Sequence, residues 1–269
     1  MNAITSFIKR YPQGTFWGIA WATSFVGFFM NARDPDGLWG FLIYGSFLGG
    51  ALVTAIADGR SGLKTYFSRI VRWRVGIQWY VAALFIPPVL RLAAFGLNIV
   101  SGAAASTSIQ WPAWIDVFFE AFLIISLAEE PGFRGFALPR LMAGRSALAA
   151  SLILGVLHTI WHIPLFILGS DSPIIILIII SGAVLNTWLF NNTKGSVFMA
   201  MLLHTSVHFM VYIFNPLFSG ADAQRQTIWL AVVFVAMAIL LSLLTGRELG
   251  RKPVPAMRVV AADRPAVAK

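Results

Sequence analysis

The chain has 269 residues, of which 58% are hydrophobic and 12% charged, with a mean hydropathy of +0.77. Soluble proteins carry roughly 25% charged residues, and a soluble fold this apolar would lack the polar surface to cover its core. The absence of cysteine excludes disulfides, thiolate metal sites and a cysteine nucleophile. The net charge of +9, from 20 basic and 11 acidic residues, accompanies long apolar runs, and so reads as anchoring to an anionic inner leaflet rather than to nucleic acid.

About 20 apolar residues cross the hydrocarbon core of a bilayer. By that measure the chain holds eight candidate spans, near residues 14–31, 38–57, 76–99, 112–130, 147–168, 173–190, 195–214 and 227–245. The expected fold is an all-α, polytopic transmembrane bundle in one domain, 1–245. Lys9 and Arg10 precede the first span and no small-residue cleavage site follows it, so it is expected to be retained. With both termini cytoplasmic, 17 Lys and Arg fall on the inner side and two, Arg33 and Arg225, on the outer, while Arg91 lies within a span.

Residues 60–74 mix bases with Leu63, Tyr66, Phe67, Ile70 and Trp73 at helical spacing. They read either as an amphipathic helix on the inner surface or as a basic connector. Residues 246–269, with Pro253, Pro255 and Pro265, are expected to form a disordered cytoplasmic tail.

Ionisable groups within spans are costly and mark function. Glu129 and Glu130 end the apolar run AFLIISLAEE, and the four histidines form two pairs four residues apart, His158 with His162 and His204 with His208. That spacing puts each pair on one helix face. A lone buried histidine is ordinarily structural, and Glu130 with Arg134 could be an ordinary helical ion pair. Four imidazoles and two carboxylates confined to three apolar spans point instead to a site. Asp116, Glu120 and Arg91 are weaker cases, open to pairing, interfacial or cavity-lining roles.

Such a set suits amide hydrolysis, which needs a base for water, donors for the oxyanion and an acid for the leaving amine. Ser126 and Ser206 form no nucleophile motif, which favours activated water over an acyl-enzyme. Two other classes stay open: a proton-coupled transporter with a Glu/His relay, and a silent binding or immunity protein on the same scaffold.

At these residues the chain resembles the CPBP family, the CAAX-protease and bacteriocin-processing membrane endopeptidases. EEPGFR at 129–134, continuing as GFALPRL, resembles the family's E-E-x-x-x-R motif. His162 in WHIPLF falls on the histidine of F-x-x-x-H, and His204 after NTKGSVFMAMLL on that of H-x-x-x-N/D. The resemblance covers about residues 112–215. His158 stands where the family has Phe, and His208 where it has Asn or Asp.

The resemblance implies an intramembrane endopeptidase. Glu129 would be the general base, with His162 sharing or positioning the water, and Glu130 an auxiliary carboxylate paired with Arg134. His204 and His208 would stabilise the oxyanion or bind metal. Family members are described both as metalloproteases and as metal-independent glutamate-type proteases. A divalent metal such as zinc on Glu129, His162, His204 and His208 therefore stays open, although HExxH is absent. Glu129, Glu130, Arg134 and His204 fall toward the cytoplasmic ends of their spans, so the site is expected to open to the cytoplasm or the inner leaflet, where a cavity beside lipid suits a peptide or membrane-tethered protein tail as substrate. The implied setting is the plasma membrane of a prokaryote.

Overall fold

A computed structural model of the chain describes residues 3–106 and 113–250, and every regular element among them is helical. A short helix α1 (Ala3–Arg10) leads into α2 (Pro12–Arg33), which opens on a proline whose missing N–H has no partner to lose at that position. A tight helical turn, Leu38–Tyr44, runs into α3 (Gly45–Ile70), and α4 spans Ile77–Val100. Residues 114–141 form one composite helix, α5. The bundle is completed by α6 (Ala147–Trp161), α7 (Ile175–Asn192), α8 (Val197–Phe214) and α9 (Gly220–Thr245).

Among the described residues, five helices are long and apolar enough to cross a membrane: Leu38–Ile70, Ile77–Val100, Ile175–Asn192, Val197–Leu217 and Gly220–Thr245. The other three expected spans correspond to α2, α5 and α6. Helix α6 has only 15 residues before a break at His162, and α5 carries Glu129, Glu130 and Arg134. The lipid-facing character of the outer helices is written in their side chains. Ile77, Val81, Phe85 and Val89 of α4 and Ile228, Val232, Ile239 and Leu243 of α9 are all exposed, a surface unsuited to water.

Two expected boundaries change. The span placed at 112–130 does not stop at the glutamates: α5 runs on to Leu141, so Glu129 lies mid-helix. Arg134, counted with the inner loops, is buried within it, which takes one charge from that count and leaves the bias intact. The basic segment 60–74 is helical to Ile70, set off from the rest of α3 at Gly59, whose φ of +66° and ψ of −158° break the helix. This piece lies against protein as well as facing outward. Tyr66 is buried and donates to Phe47 O (2.8 Å), and Arg69 donates to Gly135 O of α5 (2.9 Å), while Phe67 is exposed. The tail proposed at 246–269 falls mostly outside the described residues.

Two apolar clusters organise the bundle. One joins Phe16 and Trp17 of α2, Phe133 and Phe136 of α5, and Leu154 and Trp161 of α6. The other joins Leu90, Leu185, Leu203, Leu230 and Phe234 from α4, α7, α8 and α9. Small residues let backbones approach, as in membrane bundles generally. A Cβ on Gly132 of α5 would meet Ser46 O at 2.4 Å, and one on Gly155 of α6 would meet Ile180 Cα at 2.8 Å. The site lies where the two halves meet.

Candidate active site

Helix α5 is not regular. Ala121–Ser126 and Pro131–Ala137 are π-helical, flanking the short α-helical piece Leu127–Glu130 that carries both glutamates. The wider bonds are explicit: Leu127 N donates to Phe122 O, and Leu138 N to Phe133 O, five residues back. Pro131 has no N–H, so the α-helical ladder cannot pass through it, and each π-turn turns the following residues about the axis relative to an unbroken α-helix. Such turns recur at functional sites. Here both adjacent carboxylates are buried, Glu129 with 4% and Glu130 with 0% exposure.

Glu130 Oε1 accepts from Arg134 Nη1 at 2.8 Å and lies 2.7 Å from His204 Nδ1 of α8. Among the described residues, its second oxygen and Arg134 Nε are buried without a partner. Glu129 Oε2 lies 3.1 Å from His158 Nε2. His162, one turn further along, sits at the break ending α6, and its Nδ1 lies 3.2 Å from Asp171 Oδ2. Ligand atoms of Glu129, His158 and His162 lie within 4.8 Å of one another. The rings of His204 and His208 lie 4.9 Å apart between centroids and are tilted by 35° to one another, outside that trio.

Asp171 escaped the sequence reading. Nothing in a nine-residue separation from His162 shows that Gly169, with φ +71°, reverses the chain so that Ser170 N and Asp171 N both bond to Leu165 O. The departure at His158 also gains a definite place, against Glu129. Ser126 bonds Thr205 (3.0 Å) and Ser206 donates to Leu84 O (2.9 Å), so neither is poised as a nucleophile. Asp116 is exposed, and Glu120, also exposed, accepts from Tyr212 Oη (3.3 Å); neither lines the cavity.

A cavity of about 410 Å³ adjoins the site. Glu130, Arg134, His158, His162, His204 and His208 line it, and His158 in turn contacts Glu129. Its walls are apolar, from Ile175, Ile178, Leu203, Val207, Leu230 and Phe234, with Asn186 among them. Asn186 Oδ1 is buried and has no partner among the described residues. Away from the glutamates stands Arg91, 6% exposed, donating to Asn215 (3.3 Å); among the described residues it makes no ion pair. Asp171, before α7, and Asn215, after α8, lie at the helix ends opposite Lys194 and Arg140. The cavity therefore extends from the glutamates toward the ends of α6 and α8 that lie away from Lys194 and Arg140.

Residues 109–210 match the family model described as type II CAAX prenyl endopeptidase, Rce1-like. That stretch, somewhat over a third of the chain, is similar to the CAAX-protease family. It contains Glu129, Glu130, Arg134 and all four histidines, and it agrees with the resemblance carried by the motifs. A search of curated proteins gives no match to the chain.

Proposed function

We propose that the chain is an intramembrane endopeptidase that hydrolyses peptide bonds with a water activated by Glu129. The observation that carries this reading is the division of labour between two adjacent carboxylates. Glu130 is committed, its Oε1 shared by Arg134 and His204. Glu129 has no cationic side chain fixed on it and sits beside two imidazoles. A spacing of up to 4.8 Å is one a single water bridges with two hydrogen bonds of about 2.8 Å each.

In this mechanism Glu129 takes a proton from the water as the water oxygen attacks the scissile carbonyl. The resulting oxyanion is met by donors on His204 and His208. Collapse breaks the C–N bond, and the proton held by Glu129 passes to the leaving amine. His158 and His162 hold the water and the base in place, the latter oriented by Asp171. Arg134 fixes Glu130, which fixes His204.

The substrate is an extended peptide or membrane-tethered protein tail along the apolar walls, with an acidic group on Arg91. The bundle has eight spans, α2, α5 and α6 included, with both termini cytoplasmic by the charge bias. In that orientation the cavity is reached from the side opposite the cytoplasm, so the substrate is met there or in the outer half of the bilayer. The proposed setting remains a prokaryotic plasma membrane. No observation favours the transporter or silent-scaffold readings.

The test is cleavage of a fluorogenic peptide library by purified protein in nanodiscs. Glu129→Gln should lower kcat by about 10²–10⁴-fold, the usual contribution of a general base, with wild-type thermal stability. Cleavage that survives both Glu129→Gln and His162→Ala would refute the assignment.

A further inference from the structure

We infer that Glu129, His158 and His162 form a binding site for a first-row divalent cation, zinc by preference, with His158 as the ligand that distinguishes this chain. The site follows from three observations. Glu129 Oε2, His158 and His162 present one ligand atom each within a 4.8 Å sphere of separation, the first two buried and the third half-buried. Two imidazoles and one carboxylate are a donor set that zinc accepts, leaving a fourth position for water, and imidazole ligands suit zinc among the first-row ions.

The third observation is the support behind one ligand. His162 Nδ1 lies 3.2 Å from Asp171 Oδ2, and a neutral imidazole that donates from Nδ1 leaves the Nε2 lone pair free. Histidine ligands are held in this way by carboxylates behind them.

The same tests set aside other combinations. His204 Nδ1 is engaged by Glu130 Oε1, which also holds Arg134, and that guanidinium repels a cation. His208 and His204 fall outside the close trio. The ligand set expected from sequence, Glu129 with His162, His204 and His208, is thereby replaced by one in which His158 takes the place of the α8 histidines.

Ligand distances of about 2.0–2.1 Å put tetrahedral ligand atoms about 3.4 Å apart. Loading therefore draws the trio together and replaces the Glu129–His158 hydrogen bond. When bound, the ion would supply Lewis-acid activation of water. The residues' own part is to hold it against Glu129 at the cavity wall.

The experiment reads binding without any peptide. Protein in detergent, stripped with chelator and dialysed, is titrated with Zn²⁺ by calorimetry, and its metal content is measured after re-equilibration. Wild type should take one ion per chain. His158→Phe should weaken binding by at least about tenfold, the scale on which even supporting residues act. His204→Ala should leave it within about twofold. His158→Phe is packable, because the ring already lies 4.4 Å from Phe133 and 6.0 Å from Trp161 between centroids. Asp171→Asn keeps all three ligands and should still weaken binding.

No saturable binding by the wild type would overturn the site. So would binding indifferent to His158→Phe and Asp171→Asn, or binding that follows His204. Because peptide cleavage is not measured, failure here leaves the peptidase reading standing, and failure of that reading leaves the cation site standing.

Discussion

At the scale of single residues, the most informative is Arg91. A guanidinium buried in an apolar bundle without a carboxylate is expensive, and its contact with Asn215 uses one of five donors. The simplest account is that the missing anion arrives with the substrate. Arg91→Gln should then raise KM about tenfold or more for peptides ending in a free carboxylate or carrying an acidic side chain. It should leave kcat nearly unchanged, the signature of uniform binding. Matched amidated, uncharged peptides should be indifferent, and an equal loss on both would refute the role. Arg91 was visible in the sequence as an ionisable group within a span. Its partner Asn215, 124 positions away, was not, because only the packing of α4 against α8 brings them together.

At the scale of helices, the glutamate pair was legible, and its presentation was not. Motif spacing in EEPGFR fixes composition, but the π-turn at 131–137 forms where Pro131 interrupts the ladder and α3 presses on α5, and the one at 121–126 lies against α8. A hydropathy ruler sees only the charges and ends the span at 130. The carbonyl of Ser46 leaves room for no side chain at Gly132. Gly132→Ala should therefore push α5 off α3, costing about 1–3 kcal/mol as overpacking does, read as a lowered Tm in detergent. Activity should fall further than stability, since the turn it deforms directly follows the carboxylates; unchanged Tm and kcat would mean that α5 relaxes freely.

At the scale of the molecule, the helical class and the basic end were plain from composition and charge bias, whereas the direction of the cavity was not. Sequence places Glu129 near the end of an apolar run, but α5 continues for twelve residues beyond it, about 18 Å at 1.5 Å per residue. That length is what brings Glu129 level with His162. Because the chain has no cysteine, single cysteines report topology without background. Ser172→Cys, beside Asp171, should react with a membrane-impermeant maleimide in intact cells, and Lys194→Cys only in inverted vesicles. The reverse pattern would put the cavity on the cytoplasmic side and overturn the orientation.

One oxygen atom has a consequence for how this protein can change over time. Glu130 Oε1 serves both Arg134 of its own helix and His204 of another, so no member of the trio can drift alone. Replacing Arg134 leaves a buried carboxylate leaning on His204, and replacing Glu130 strands a guanidinium among apolar side chains. Their effects are accordingly non-additive: the first substitution carries most of the damage and the others add little. A lineage abandoning catalysis would shed the three in quick succession, while one still under selection keeps them as a unit.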